Sequence, residues 1–176
     1  MNYAEIKEHD TANGKGVRVS LFVSGCTHHC KGCFNRETWD FCFGKKYTQE
    51  QEDQIIKACE PSYIKGLSVL GGEPFEKANQ KDVCALMKRF KNVYPNKDIW
   101  CYSGYLFDVD MIEGGKIFTE YTNDMLSYID FLVDGEFVEE LKNLRLKFRG
   151  SANQRVIDVQ KSLKEGKTIV LSDDEL

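Results

Sequence analysis

Residues 16–33 read GVRVSLFVSGCTHHCKGC. The first half is a short apolar, β-branched run bounded by Gly16 and Gly25, which predicts a strand. The second half places Cys26, Cys30 and Cys33 within eight residues, just past that strand's C-terminal end. Three thiolates so close together can reach one metal centre. Soft thiolate ligands select iron–sulfur clusters or zinc over hard ions. In a 4Fe-4S cluster each iron asks for an outer ligand, so three local cysteines leave one iron open to a substrate. A structural zinc site needs a fourth ligand, which Cys42, His28 or His29 could supply. A plain electron-transfer cluster would take Cys42. His28 and His29 read as surface or hydrogen-bonded side chains, with support of a metal centre from outside its ligands as the alternative. Cys42, Cys59, Cys84 and Cys101 read as structural.

Downstream of the triplet, strand-like and helix-like segments alternate. Thr48 to Cys59 predicts a helix with Thr48 as its cap and Ile55, Ile56 and Cys59 on one side. Gly66 to Leu70 predicts a strand ending in Gly71-Gly72-Glu73-Pro74. A helix over Gln80 to Phe90 follows, its apolar face made by Val83, Cys84, Leu86, Met87 and Phe90. Asp98 to Tyr102 is a third strand, Thr119 to Tyr128 a helix and Ile129 to Val133 a fourth strand. Arg155 to Val159 and Lys167 to Leu171 are expected to be two more strands about a turn near Gly166. Alternation of this kind implies an α/β fold of βαβ units with a mainly parallel sheet. Sites in such sheets lie where the strands' C-terminal ends emerge. Cys26, Gly72, Ser103 and Asp134 each stand just past a predicted strand end.

Composition narrows the function. A formal net charge of −4 argues against nucleic acid as the main partner. The nearest thing to a basic patch is Lys142 to Arg149, KNLRLKFR, which reads as a solvated face, with docking of another protein as the alternative. No segment is long and apolar enough to span a bilayer, and the polar N-terminus is no signal peptide. Seven cysteines without an export signal point to a reducing cytoplasm, where they serve as ligands or buried apolar residues. With 176 residues a single domain is expected, its core over about 14–160 and the role of a tail over 161–176 open.

The spacing CxxxCxxC, followed one strand later by Gly71-Gly72-Glu73-Pro74, resembles the radical SAM superfamily. The closest likeness is to the activating enzymes of anaerobic (class III) ribonucleotide reductases. It runs from the N-terminus to about Val156. Met1-Asn2-Tyr3, LFVSGC at 21–26, CFNRETW at 33–39 and KDIW at 97–100 carry it, with SGY at 103–105, LVDGEF at 132–137 and RGSANQ at 149–154.

The resemblance implies a reaction. A 4Fe-4S cluster on Cys26, Cys30 and Cys33 leaves one iron to S-adenosylmethionine. One electron cleaves the sulfonium to methionine and a 5′-deoxyadenosyl radical, which takes hydrogen from a glycine of the reductase large subunit. A reductant such as flavodoxin or ferredoxin is implied as a further partner. The backbone at Gly32, Cys33 and Phe34 lies against the cofactor, with Phe34 on the adenine. Gly71, Gly72 and Glu73 receive the methionine amino group. Ser103 and Asp134 join the cofactor site only by capping neighbouring strands.

A complete eightfold barrel takes about 250 residues, so the barrel is expected to be partial and open, able to admit a loop of another protein. Lys15 stands where similar proteins often have proline, which puts the local turn in question, and Glu73 where they often have aspartate. RGSANQ reads either as a contact to cofactor or partner or as a loop with good turn chemistry. Two rival functions stay open: another radical SAM enzyme (an activase of a different glycyl-radical protein or a deazaguanine-pathway synthase), or a non-enzymatic zinc or iron–sulfur module.

Overall fold

Strand β2 (Val17–Val23) is buried on both faces, and the sheet is laid out around it. The computed structural model describes residues 1–176. Val19, Leu21 and Val23 join the main core, while Arg18, Ser20 and Phe22 alternate with them on the other face, as a period of two requires. Parallel to β2 lie β4 (Ile64–Gly71), β5 (Asp98–Tyr102) and β6 (Phe131–Asp134), each paired with the one before. Helices α1 (Gln49–Ala58), α2 (Lys77–Val93) and α3 (Thr122–Tyr128) connect them. Helix α1 starts at Thr48, whose backbone N–H is met by the Gln51 side chain at 3.1 Å.

The flanks run the other way. β1 (Asn2–Asp10) pairs antiparallel with β2, the two-residue β3 (Lys45–Lys46) with β1, and β7 (Arg155–Asp158) with β6. The result is one open seven-stranded sheet in the order β3-β1-β2-β4-β5-β6-β7. β1 has no signature in the sequence because only Tyr3 and Asp10 of its nine residues are buried. A strand so largely open to solvent has no apolar alternation to show.

The tail differs from expectation. Arg155–Asp158 is a strand, but Lys167 to Leu171 is not; it makes a single bridge, Val170 to Ile157. Between them runs α4 (Val159–Glu165). Asp158 caps it by accepting from the Lys161 N–H at 2.9 Å, and Gly166 ends it in the left-handed conformation. A cap at one end and a left-handed glycine at the other turn the interval into a helix.

The helices cover one face of the sheet. Val83, Leu86, Met87 and Phe90 of α2 share a core with Leu67, Val69, Ile99 and Leu132, and Cys59, Cys84 and Cys101 belong to it. On the other face Trp100, Val133 and Val156 form a smaller cluster, with Phe148, Leu171 and Leu176 against it. Arg18 is fully buried there. It donates to Ser68 Oγ at 2.7 Å and to the Leu67 carbonyl at 2.9 Å, and pairs with Asp98 at 2.6 Å. A buried guanidinium needs such partners. The Asn13-Gly14-Lys15-Gly16 turn depends on its glycines, both left-handed, and a Cβ at Gly14 would stand 2.9 Å from Trp100. Lys15 contributes its carbonyl, which accepts from Arg18 Nη1 at 3.1 Å. No helix is long and apolar enough to cross a membrane.

Candidate functional site

The parallel strands β2, β4, β5 and β6 end on one rim. A cleft of about 680 Å³ opens there, lined by Cys26, Cys30 and Cys33, by Gly71, Gly72 and Glu73, and by Ser103 and Gly104. Gly32 and Phe34 also line it. Most of the residues singled out in the sequence are therefore brought together; Asp134 is the exception.

The cysteine loop is fastened to the body of the protein. Gly25 N–H donates to the Thr38 carbonyl at 2.7 Å and Cys26 N–H to the Trp39 carbonyl at 3.2 Å. Thr27 donates from its backbone and its hydroxyl to Glu76 Oε1, at 2.8 and 2.6 Å. Cys26 is buried, Cys30 and Cys33 are half-buried, and all three are free thiols. Burial pushes the Cys26 thiol up to about 12 and raises Cys30 too. Such thiols give up their protons to a metal, whose charge replaces the missing solvation. Free thiols lining an open cleft fit the larger, thiophilic cluster.

Glu73 lines the cleft, as expected of the Gly-Gly-Glu turn, and is also tied into the rim. It is buried, and each oxygen already has two donors. Oε1 accepts from Phe75 N–H at 2.8 Å and from Ser103 Oγ at 2.9 Å. Oε2 accepts from Gly104 N–H at 2.7 Å and from His28 Nε2 at 3.2 Å. The carboxylate ties together the ends of β2, β4 and β5. What the turn offers a ligand is backbone: no donor in the chain reaches the Gly72 carbonyl. A side chain does not fit at Gly72, since a Cβ would lie 2.6 Å from the Gly25 carbonyl oxygen.

His28 is part of this arrangement, hydrogen-bonded rather than free on the surface, which is one of the two readings its sequence allows. Its Nδ1 meets Glu136 Oε1 at 2.7 Å, while its ring packs on Tyr105 with centroids 4.2 Å apart. A neutral imidazole has one donor, and two carboxylate acceptors call for the imidazolium. Burial alone would lower its pKa, but Glu73 and Glu136 outweigh burial and raise it above 6.5.

Asp134 does not line the cleft. It is fully buried and accepts from Phe107 N–H at 2.9 Å and from Arg155 Nε at 2.9 Å. Arg155 also pairs with Asp108 at 2.9 Å, so Asp134 braces the wall behind the rim. The Arg155 hydrogen bond holds the Asp108 carboxyl down to about 2, below its ordinary 3.8. A depressed carboxyl contributes stability above its unfolded pKa and loses it as pH falls through the folded one. Arg155→Ala should therefore destabilise the protein near neutrality, with the gap in urea midpoint closing from about pH 4 toward about pH 2. A gap that does not change over that range contradicts the bridge.

RGSANQ is a bracket. The Gly150 and Ser151 N–H groups donate to Gln154 Oε1 at 2.9 and 3.1 Å. Gln154 Nε2 then donates to the Gly135 carbonyl at 3.0 Å, and Asn153 Nδ2 to the Glu136 carbonyl at 2.8 Å. The segment thus holds the turn that carries Glu136.

Comparison with known proteins agrees with this geometry. A family model described as a 4Fe-4S single cluster domain matches residues 12–157. A Vibrio cholerae anaerobic ribonucleoside-triphosphate reductase-activating protein is 45% identical over 157 residues, 88% of this chain and 96% of that protein. Proteins of the same name from Escherichia coli K12 and from Enterobacteria phage T4 are 40% and 38% identical, with 89% of this chain covered in each case and 97% and 93% of theirs. The chain belongs to the family of anaerobic ribonucleoside-triphosphate reductase-activating proteins. It carries that family's 4Fe-4S cluster domain, and α4 with the residues after it lies beyond the matched stretch.

In this member of the family, sequence reasoning missed Glu76 and Glu136 and underrated His28. Acidic residues in ordinary-looking positions give no local signal. The one available hint is the DGE turn directly after β6, in which the useful carboxylate is Glu136 and not Asp134.

Proposed function

We infer that this chain activates an anaerobic ribonucleoside-triphosphate reductase, with Cys26, Cys30 and Cys33 as ligands of a 4Fe-4S cluster and S-adenosylmethionine bound at its open iron. The observation that carries the reading is the single cleft on which the three thiols, the Gly71-Gly72 turn and Ser103-Gly104 all open, at the C-terminal ends of parallel strands. When bound, the reduced cluster and S-adenosylmethionine supply a one-electron cleavage that gives methionine and a 5′-deoxyadenosyl radical able to take hydrogen from a glycine of the reductase.

The chain's own residues position and shield. The Gly71 and Gly72 backbone receives the methionine ammonium, since the Glu73 carboxylate already has four donors of its own. Glu73 and Ser103 hold that turn in place. Gly32 and Cys33 pass their backbone along the cofactor. Phe34, 87% exposed on the cleft, gains cover by packing on the adenine. Asp134 acts at one remove, through Arg155 and the rim.

The open sheet reads as a partial (βα) barrel of the radical SAM kind, forming one domain over 1–176. A barrel open on one side admits a glycine-bearing loop, and the docked reductase then completes the exclusion of water. The electron comes from a donor such as flavodoxin or ferredoxin, in the cytoplasm, where cysteine ligands stay reduced.

The test is anaerobic reconstitution with iron and sulfide, reduction, and addition of S-adenosylmethionine. Release of 5′-deoxyadenosine is expected. A fully loaded, reduced protein that leaves the sulfonium intact overturns the reading.

A further inference from the structure

One lip of the cleft is the segment from Lys142 to Arg149. It places four cations and no acid in eight residues of a chain whose net charge is −4. Leu144 stands at its tip, 91% exposed and lining the cleft mouth. Phe34, also largely exposed, lines the same cleft, and apolar side chains grouped at a cleft mark an interaction surface where one alone would not.

The chain's own tail indicates what the lip recognises. Asp173 pairs with Arg149 at 2.6 Å, and Lys147 donates to the Leu176 carbonyl at 3.3 Å. Leu171 and Leu176 pack against the same small core cluster as Phe148. The far half of the segment is thus matched by a stretch, Leu171-Ser-Asp-Asp-Glu-Leu176, that combines acids with leucines. The near half keeps the same chemistry facing outward. Lys142 and Arg145 form no ion pair, and they flank Leu144.

We propose that Lys142, Leu144 and Arg145 dock a segment of the reductase that carries acidic side chains and an apolar residue next to its target glycine. This rests on the activating function inferred above. The place follows from continuity, because Leu144 and Lys142 line the same cleft as the three cysteines. A segment held by this lip brings its backbone to the cleft mouth. Cations around an apolar anchor give orientation and fast encounter, while the anchor slows departure.

The test measures binding of the cluster-loaded protein to the reductase, beside 5′-deoxyadenosine release without the reductase. Leu144→Ser, and Lys142→Glu combined with Arg145→Glu, should each weaken binding on the order of tenfold. The charge variant should also flatten the dependence of binding on salt. Arg145→Glu alone, at the one of the three lip residues that does not line the cleft, should release 5′-deoxyadenosine at the wild-type rate. Lys88→Glu with Lys164→Glu, on the outer helices, makes the same change in net charge and should bind as wild type. Unchanged binding by both lip variants overturns the proposal, as does equal weakening by the helix control or a wild type that does not bind the reductase. A wild type that releases no 5′-deoxyadenosine, while the lip variants still bind more weakly, supports the lip and counts only against the inferred chemistry.

Discussion

Cys30→Ala is expected to lose the iron–sulfur cluster, with iron and sulfide after anaerobic reconstitution falling to background and S-adenosylmethionine cleavage lost with them. Three thiols line the cleft, and removing one leaves two ligands for a centre that needs at least three from the protein. Cys30 is half-buried in a loop held by its neighbours' bonds, so the loss of one sulfur should leave the fold intact. Cys42 supplies the control. It is exposed and lies off the cleft, and Cys42→Ala should retain full iron and full activity. Iron and sulfide analysis of both variants decides. Full iron in Cys30→Ala, or loss of iron in Cys42→Ala, contradicts the ligand assignment.

Glu73→Gln is expected to destabilise the cluster-loaded protein before any S-adenosylmethionine is added. Two donors meet each carboxylate oxygen, and the site is buried. An amide turns its NH2 toward two of those donors, so at least two buried polar groups lose their acceptor. The cost is about 2–3 kcal/mol, since hydrogen bonds to charged groups are among the stronger ones. For a chain of this size that lowers the melting temperature by about 5–10 °C. Thermal melting without cofactor is the measurement. An unchanged melting temperature with weakened cofactor binding would mean that the carboxylate serves the ligand and not the rim.

Much of this arrangement was legible in the sequence, and the reasons differ by element. β2, β4 and β5 announce themselves because strands buried on both faces carry apolar, β-branched runs. Helix α2 announces itself through Val83, Leu86, Met87 and Phe90, all fully buried as their spacing demands. The triplet of cysteines and the Gly-Gly-Glu turn are short motifs whose chemistry is local. β1 hides because its burial is one-sided and sparse, and α4 hides because Val159 and Ser162 are its only buried residues. The hydrogen bonds of Glu73 could not be read either, since His28, Ser103 and Gly104 are distant in sequence and meet it only in the folded rim. Asp134 was drawn into the site by its place at a strand end. Glu136, two residues on, does the connecting: Phe107 N–H and Arg155 hold the Asp134 side chain in the wall, and the left-handed Gly135 breaks the strand alternation between the two.

The most direct test of the central claim is electron paramagnetic resonance of the anaerobic reductase mixed with this protein, reconstituted and reduced, in the presence of S-adenosylmethionine. A glycyl radical on the reductase is expected, growing with release of 5′-deoxyadenosine and absent with Cys30→Ala. A reductase that stays without radical while 5′-deoxyadenosine accumulates would contradict that claim.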